Sequence, residues 1–199
     1  MSADLAPHFP PRRARVHEAC GPGMTGFAAM LAAQLEGPVL WIREYWRPEA
    51  LNPLGLSDIL DPSRLLVAQV KDQTDALAVA EEALRDGSLK LVVAELGEPL
   101  GLTPGRRLQL AAKDGRSTGL CLISEGNGSN AAETRWRCTP TFDPEGLDST
   151  LQHWDLIKNK SGTLGFWHVR WDREAHRETH RLRVVSAPGE RPGAAHATG

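Results

Sequence analysis

The chain has 199 residues, of which 41% are hydrophobic and 24% are charged, and its formal net charge is −2. At this length, one domain with a sizeable core and a tail is expected. The small net charge excludes a global electrostatic attraction to nucleic acid or acidic membranes, so such contacts would need a local patch. Neither a bilayer-spanning apolar run nor an N-terminal signal core is present, which predicts a cytoplasmic protein.

The three cysteines, Cys20, Cys121 and Cys138, lie far apart in apolar segments. An odd number of widely separated cysteines is typical of reduced core thiols in a cytosolic protein. A Cys-x-x-Cys pair is absent from the sequence, so zinc binding is not expected. We predict neither a metal nor a cofactor.

Residues 1–14 are rich in proline and arginine, which predicts a flexible N-terminal arm. Residues 15–20 then form an apolar stretch typical of a buried strand, and a glycine-rich turn leads into a helix that runs to about Leu35. We expect a first domain element made of this strand, turn and helix. We interpret the arm as a disordered tail, and the alternative is a docking segment for a partner.

The turn resembles a phosphate-binding loop, in which backbone amides surround phosphate. Gly21 and Gly26 have the spacing of the G-x-x-x-x-G part of that motif, but Phe27 and Ala28 stand where Lys and Ser or Thr should follow. Phe27 has no ammonium to contact phosphate, and Ala28 has no hydroxyl to bind Mg²⁺. We therefore expect a degenerate loop in a protein that does not hydrolyse nucleotide.

Four further short apolar runs, at residues 39–42, 64–70, 89–96 and 119–124, alternate with helical segments. Such alternation predicts an α/β fold with a mostly parallel sheet and flanking helices. We expect helices at 55–60, at 75–85 with Thr74 as N-cap, and from Thr103 onward with Leu110 facing inward.

The pattern changes after Ser124. A Gly/Asn/Ser-rich loop precedes an alternating strand at residues 133–139, and residues 151–158 are interpreted as a short helix. Residues 165–171 and 181–186 predict a final antiparallel pair. The Pro- and Gly-rich residues 187–199 predict a disordered tail, so the domain is expected to span residues 15–186.

Three features are weighed as candidate sites. Glu95 ends an apolar strand, where nucleotide hydrolases of this fold keep an acidic Mg²⁺ ligand, but a structural role is favoured. Arg106 and Arg107 begin a helix, where partner or anion contact and simple solvation are equally plausible. His176 and His180 have helical spacing for a metal, without a suitable third ligand nearby.

The C-terminal strands combine tryptophan and arginine. Trp167 and Trp171 share one strand face, and residues 158–183 contain seven Lys and Arg against three acids. Aromatic rings interleaved with cations can stack single-stranded bases, although such a stripe more often covers a core. The candidate partner or DNA contacts in this region are Arg170, Arg173, Arg177, Arg181, Arg183, Trp167 and Trp171.

In the order and spacing of several short motifs, the sequence resembles the ImuA family. These are the RecA-like accessory proteins of bacterial translesion-synthesis mutagenesis cassettes. The resemblance covers roughly residues 15–186. The segments that carry it are Val16-His17-Glu18, the lysine-less loop, and residues 39–42, 81–85, 106–112, 134–137 and 167–171.

This resemblance implies a RecA-like core similar to that of the cell-division inhibitor SulA. It also implies a damage-induced, cytoplasmic, non-catalytic accessory factor of error-prone synthesis. The implied partners are an ImuB-type Y-family-like protein and a specialised polymerase, with RecA, DNA and a second copy of the chain as further candidates. A SulA-like inhibitor, a residual ATPase and a single-strand DNA-binding module remain as alternatives.

Overall fold

The computed structural model describes residues 4–143, 150–172 and 181–186. Strands and helices alternate through the first two thirds of the chain, and strands alone follow. The elements are β1 (Val16–Cys20), α1 (Met24–Ala33), β2 (Val39–Glu44), α2 (Pro53–Ser57), a 3₁₀ turn (Pro62–Arg64), β3 (Leu65–Val70), α3 (Gln73–Asp86), β4 (Leu91–Leu96), α4 (Leu102–Asp114), β5 (Thr118–Ile123), β6 (Thr134–Pro140), β7 (Gln152–Asn159), β8 (Gly165–Trp171) and β9 (Leu182–Val185).

In the described part of the chain these strands form one nine-stranded sheet in the order β3-β2-β4-β5-β1-β6-β7-β8-β9. Strands β1 to β6 pair in parallel, whereas β6 to β9 pair in antiparallel fashion. The predicted α/β class, the parallel sheet and the C-terminal antiparallel strands are thus confirmed. Because β1 lies between β5 and β6, the glycine loop after it is at the centre of the sheet.

Each face of the sheet carries its own core. Helix α1 covers one face, together with the tryptophans of β6, β7 and β8. Helices α3 and α4 cover the other face, where small residues such as Ala80 and Ala111 allow close packing on the strands. Side chains alternate between the faces along each strand, so both faces of the central strands are apolar.

Gln152–Asn159 form strand β7, so the helix expected at residues 151–158 is wrong. The segment alternates, with Gln152, Trp154 and Leu156 buried and the residues between them partly exposed. A period of two suits a half-buried strand, and pairing with both β6 and β8 stabilises it.

The N-caps of α3 and α4 and the inward face of α4 also differ from expectation. Asp72, rather than Thr74, caps α3, because its side chain accepts a hydrogen bond from the amide of Asp75. The backbone of Gly101 precedes α4 without a side-chain cap. Leu110 is 61% exposed and does not face the core, since Leu108 and Ala111 occupy that side.

Two residues of the N-terminal arm contact the core. Leu5 and Phe9 are buried within the α1-side core, and Phe9 lies 5.0 Å from Trp154 between ring centroids. Leu5 and Phe9 thus pack this proline-rich segment against the aromatic core.

Among the residues that the structure describes, no helix is long and apolar enough to cross a membrane.

Candidate functional site

The glycine loop lies between the carboxyl end of β1 and the start of α1. Gly21 has a φ of +85°, a left-handed conformation that glycine adopts without strain. A Cβ atom at Gly21 would also approach the carbonyl oxygen of Cys138 to 2.6 Å. Both backbone conformation and space therefore require glycine at the first loop position.

Strands β6 and β7 contact this loop directly. The amide of Gly23 donates a 2.8 Å hydrogen bond to the carbonyl of Cys138, and Pro22 has no amide hydrogen to offer. A Cβ atom at Gly26 would come within 2.4 Å of Nε2 of Gln152, so that side chain lies against the loop. The carbonyl of Cys138 thus accepts a hydrogen bond from the Gly23 amide, and the side chain of Gln152 packs against Gly26. In a phosphate-binding loop the amides are instead directed to the phosphate.

Phe27 occupies the position of the missing lysine and is fully buried. Its ring packs against Phe9, Trp136 and Trp154, with centroid distances of 5.5, 5.4 and 4.7 Å. Ala28 is likewise fully buried and has no hydroxyl for a metal ion. These residues do not fit the phosphates and Mg²⁺ of a nucleoside triphosphate.

Glu95, at the end of β4, is held in a hydrogen-bonded network. Its carboxylate accepts a 2.7 Å hydrogen bond from Nε1 of Trp41 and lies 3.3 Å from Arg43 and 3.7 Å from Arg47. The contacts favour the structural role expected from the sequence, because both carboxylate oxygens already have partners. Within the described ranges, no group of three His, Cys, Asp or Glu residues could hold a metal ion. The histidines 176 and 180 lie outside those ranges.

Two titratable residues of β1, Glu18 and His17, lie inside the protein. The carboxylate of Glu18, fully buried, accepts 2.7 Å hydrogen bonds from Nε of Arg135 and from the amide of Ser129. The ring of His17 contacts Oγ1 of Thr134 at 2.7 Å and the carbonyl of Arg12 at 2.8 Å. Burial lowers the pKa of His17 to about 4, so the ring is neutral at physiological pH.

The cysteines are all free and buried, in agreement with the predicted core thiols. Burial raises the pKa of Cys20 and of Cys121, which keeps both thiols protonated and poorly nucleophilic. Burial also raises the pKa of Cys138, whose carbonyl contacts the loop, so that thiol is poorly nucleophilic as well.

Arg106 and Arg107 follow each other on α4 but have different environments. Arg107 forms a 2.7 Å ion pair with Glu81 of α3. Arg106 is exposed and lines a cleft of about 570 Å³ between α4 and residues 130–133, which also contains Leu102 and Leu110. Only Arg106 of this pair is therefore directed into an open cleft.

Among the described residues of the predicted tryptophan–arginine surface, the two tryptophans are buried and the arginines have different environments. Trp167 and Trp171 are buried in the α1-side core, because they lie on the inner face of β8. Arg170 pairs with Asp143 at 2.6 Å and Arg183 with Asp172 at 2.7 Å. Arg181 lines a small cleft beside Trp171. Arg173 and Arg177 lie outside the described residues.

Sequence reasoning missed two residues that shape the loop. The sequence pattern places Phe9 in the N-terminal arm and Gln152 in a helix at 151–158, and neither prediction brings these residues to the loop. The alternation of residues 152–156 was the available signal for β7, but no local signal places its first residue over Gly26.

No protein-family model matches the chain. Protein ImuA from two strains of Caulobacter vibrioides is 29% identical, over 85% of this chain and 80% of that protein. The RadB recombinase structure superposes with a TM-score of 0.62 over 87% of this chain and 92% of RadB, at 14% identity. SulA from Pseudomonas aeruginosa is 27% identical over 55% of this chain and 97% of SulA, with a TM-score of 0.46. The chain is therefore similar in sequence to the ImuA proteins, and its fold is RecA-like, as in the RadB recombinase.

Proposed function

We propose that the protein is a non-catalytic accessory factor in damage-induced, error-prone translesion DNA synthesis. It acts in the cytoplasm through contacts with an ImuB-type Y-family-like protein and a specialised polymerase, with RecA as a further partner. Its similarity to proteins named ImuA supports this process. The absence of catalysis rests on the loop.

The single observation that carries the non-catalytic role is the burial of Phe27. A phosphoryl-transfer site needs an ammonium or metal ion next to the transferred group. Here the corresponding side chain belongs to an aromatic cluster with Phe9, Trp136 and Trp154. A nucleotide could reach this position only if the core opened.

The partner surface that we favour is the β3 edge of the sheet. Leu66 and Val67 of β3 are about half exposed, and Tyr45 and Trp46 after β2 are 64% and 57% exposed. In the described chain β3 pairs with β2 alone, so its outer backbone groups are available to a partner strand. An exposed apolar patch on a strand edge is typical of a protein-binding site, for a partner or a second copy.

The test is complementation of a deletion strain, with damage-induced mutation frequency as the readout. The wild-type gene should restore mutagenesis, and the double variant Trp46→Ala, Val67→Lys should not, although it should remain folded. The matched control is Leu54→Ala, because Leu54 is 82% exposed and belongs to α2, outside the sheet.

A pull-down with the ImuB-type partner should separate the same two variants. Cell filamentation on overexpression without any effect on mutagenesis would contradict the proposal and favour a division inhibitor. ATP hydrolysis by the purified wild-type protein would contradict the non-catalytic part.

A further inference from the structure

Exposed cations collect at the edge of the sheet where the parallel strands begin, opposite the glycine loop. Two clefts lie there, of about 1050 Å³ and 570 Å³, and both are lined by Lys113. The larger cleft is bordered by residues that precede β1 and β4, among them Ala14 and Lys90. We name this region the amino-edge surface; its cations are Arg13, Arg15, Lys90, Arg106, Lys113, Arg116 and Lys160.

Six of these cations form no ion pair with a carboxylate among the described residues, since only Arg15 does. Lys90 and Lys160 donate hydrogen bonds to the carbonyls of Gly87 and Ala131. The other four, Arg13, Arg106, Lys113 and Arg116, have no side-chain partner in the described chain. Most arginines elsewhere in the described chain form an ion pair with a carboxylate. Those with a carboxylate partner are Arg43, Arg47, Arg85, Arg107, Arg135, Arg137, Arg170 and Arg183. Arg64, Lys71 and Lys158 also have no carboxylate partner, so most, but not all, of the unpaired positive charge of the described chain lies on the amino-edge surface.

Few acids oppose this charge. Glu36 and Glu133 are the carboxylates that line the two clefts in the described chain, and Glu133 lies 3.8 Å from Arg15 and 3.9 Å from Arg12. A surface with seven cations and two acids on a chain of net charge −2 produces a strong local positive potential.

The backbone also holds two residues of the larger cleft in an unusual conformation. Ala14 and Arg116 have φ angles of 58° and 53°, and they are the non-glycine residues with positive φ in the described chain. This conformation costs on the order of 1 kcal/mol per residue. At Arg116 it presents an unpaired guanidinium at the rim of the cleft.

We infer that the amino-edge surface binds the phosphate backbone of duplex DNA without reading its sequence. Unpaired Arg and Lys side chains are the groups that neutralise phosphates. No aromatic side chain lines either cleft in the described residues, so base stacking of a single strand has no support here.

An acidic protein segment is the other ligand that such charge attracts. The exposed leucines Leu102 and Leu110 would suit it, but they line only the smaller cleft. The unpaired cations continue into the larger cleft, which these leucines do not line. The choice of DNA rests on the proposed function, whereas the surface itself does not depend on the vacated loop.

The experiment is fluorescence anisotropy of a short duplex of arbitrary sequence, titrated with the full chain at about 50 to 200 mM salt. Neutralisation of four phosphates predicts a slope of about −3.6 in log K against log salt. Affinity should then fall by about two orders of magnitude across that range. A second duplex of different sequence should bind equally well.

The variant Arg13→Gln, Arg106→Gln, Lys113→Gln, Arg116→Gln should lose this binding, and each single change should reduce the slope by about 1. The control with the same total charge is Lys71→Gln, Arg107→Gln, Arg137→Gln, Arg183→Gln, which should bind nearly as wild type. Arg107→Gln against Arg106→Gln is the sharpest single comparison, because both residues lie on α4. Thermal melts of all variants establish that they are folded.

No binding at the lowest salt, or equal losses in the two quadruple variants, would overturn the inference. Binding of a glutamate-rich peptide in place of the duplex would overturn it in favour of an acidic protein partner. Loss of DNA binding in the first variant with normal mutagenesis would leave the accessory role standing, so the two proposals fail separately.

Discussion

The rings of Phe27 and Trp154 pack edge to face, with centroids 4.7 Å apart and an interplanar angle of 68°. Phe27 follows the second glycine of the loop, and Trp154 belongs to the antiparallel extension of the sheet. The contact therefore joins the vacated nucleotide position to the C-terminal strands. It converts what would be a ligand site into part of the core.

We predict that Phe27→Lys destabilises the protein and confers no ATP hydrolysis. Removal of a buried phenylalanine side chain costs about 3–5 kcal/mol, and an ammonium without a partner in this aromatic cluster adds a desolvation cost. Position 27 should therefore tolerate lysine poorly, because its side chain is part of the aromatic core. Urea unfolding of Phe27→Lys against the exposed control Leu54→Ala measures the difference; near-wild-type stability of Phe27→Lys would contradict the packing argument.

The two loop glycines should respond differently to alanine. At Gly26 the clash is with the amide end of Gln152, which can be shortened, so Gly26→Ala should cost less in a Gln152→Ala background than alone. At Gly21 the clash is with backbone and φ is positive, so Gln152→Ala should give no relief. A double-mutant cycle on unfolding free energies checks both; strictly additive costs at Gly26 would exclude the contact.

Arg135→Ala should destabilise the protein much more than Arg137→Ala. Arg135 pairs with the fully buried Glu18, and removal of one member of such a pair costs about 3–5 kcal/mol. Arg137 pairs with the exposed Glu125 at 3.5 Å, a contact of about 0–1 kcal/mol. Chemical denaturation of the two variants compares neighbouring arginines on one strand, and equal losses would show that the Glu18 pair is unimportant.

Stability should fall as pH decreases from about 6.5 to 4 because of His17. Burial lowers its pKa to about 4 in the folded protein, so in this window the unfolded chain binds more protons than the native one. The shift corresponds to about 3 kcal/mol, all of it present above pH 6.5 and lost near pH 4.

The variant His17→Gln should be less stable at neutral pH but should lose less stability on acidification. The control Leu54→Ala, a change at an exposed residue that does not titrate, should keep the wild-type pH dependence. Unfolding free energies at about pH 7 and pH 5 measure the effect. An identical pH dependence of wild type and His17→Gln would assign the acid sensitivity to other groups.

The parallel half of the fold could be predicted because its strands are short apolar runs between helical stripes, as at residues 91–96. Strand β7 could not be separated from a helix so easily, because Leu151 and Trp154 have helical spacing while Trp154 and Leu156 have strand spacing. Helix caps depend on single hydrogen bonds, and Asp72 and Thr74 are both good cap residues.

The candidate site, like the fold, could be predicted only in part from the sequence. The missing lysine at Phe27 is visible in the sequence, but its burial depends on Phe9 and Trp154, which are distant in the chain. The pairing of Arg107 with Glu81, and the lack of a carboxylate partner at Arg106 within the described structure, follow from how α3 and α4 pack. Tertiary contacts of this kind leave no local pattern.

The most direct test of the central claim is a calorimetric titration of the purified full-length protein with ATP and Mg²⁺. The account predicts no detectable binding heat at about millimolar ATP, because the loop has neither lysine nor hydroxyl and Phe27 is packed in the core. Binding in the micromolar range would contradict it, since the glycine loop would then hold phosphate in spite of the aromatic cluster.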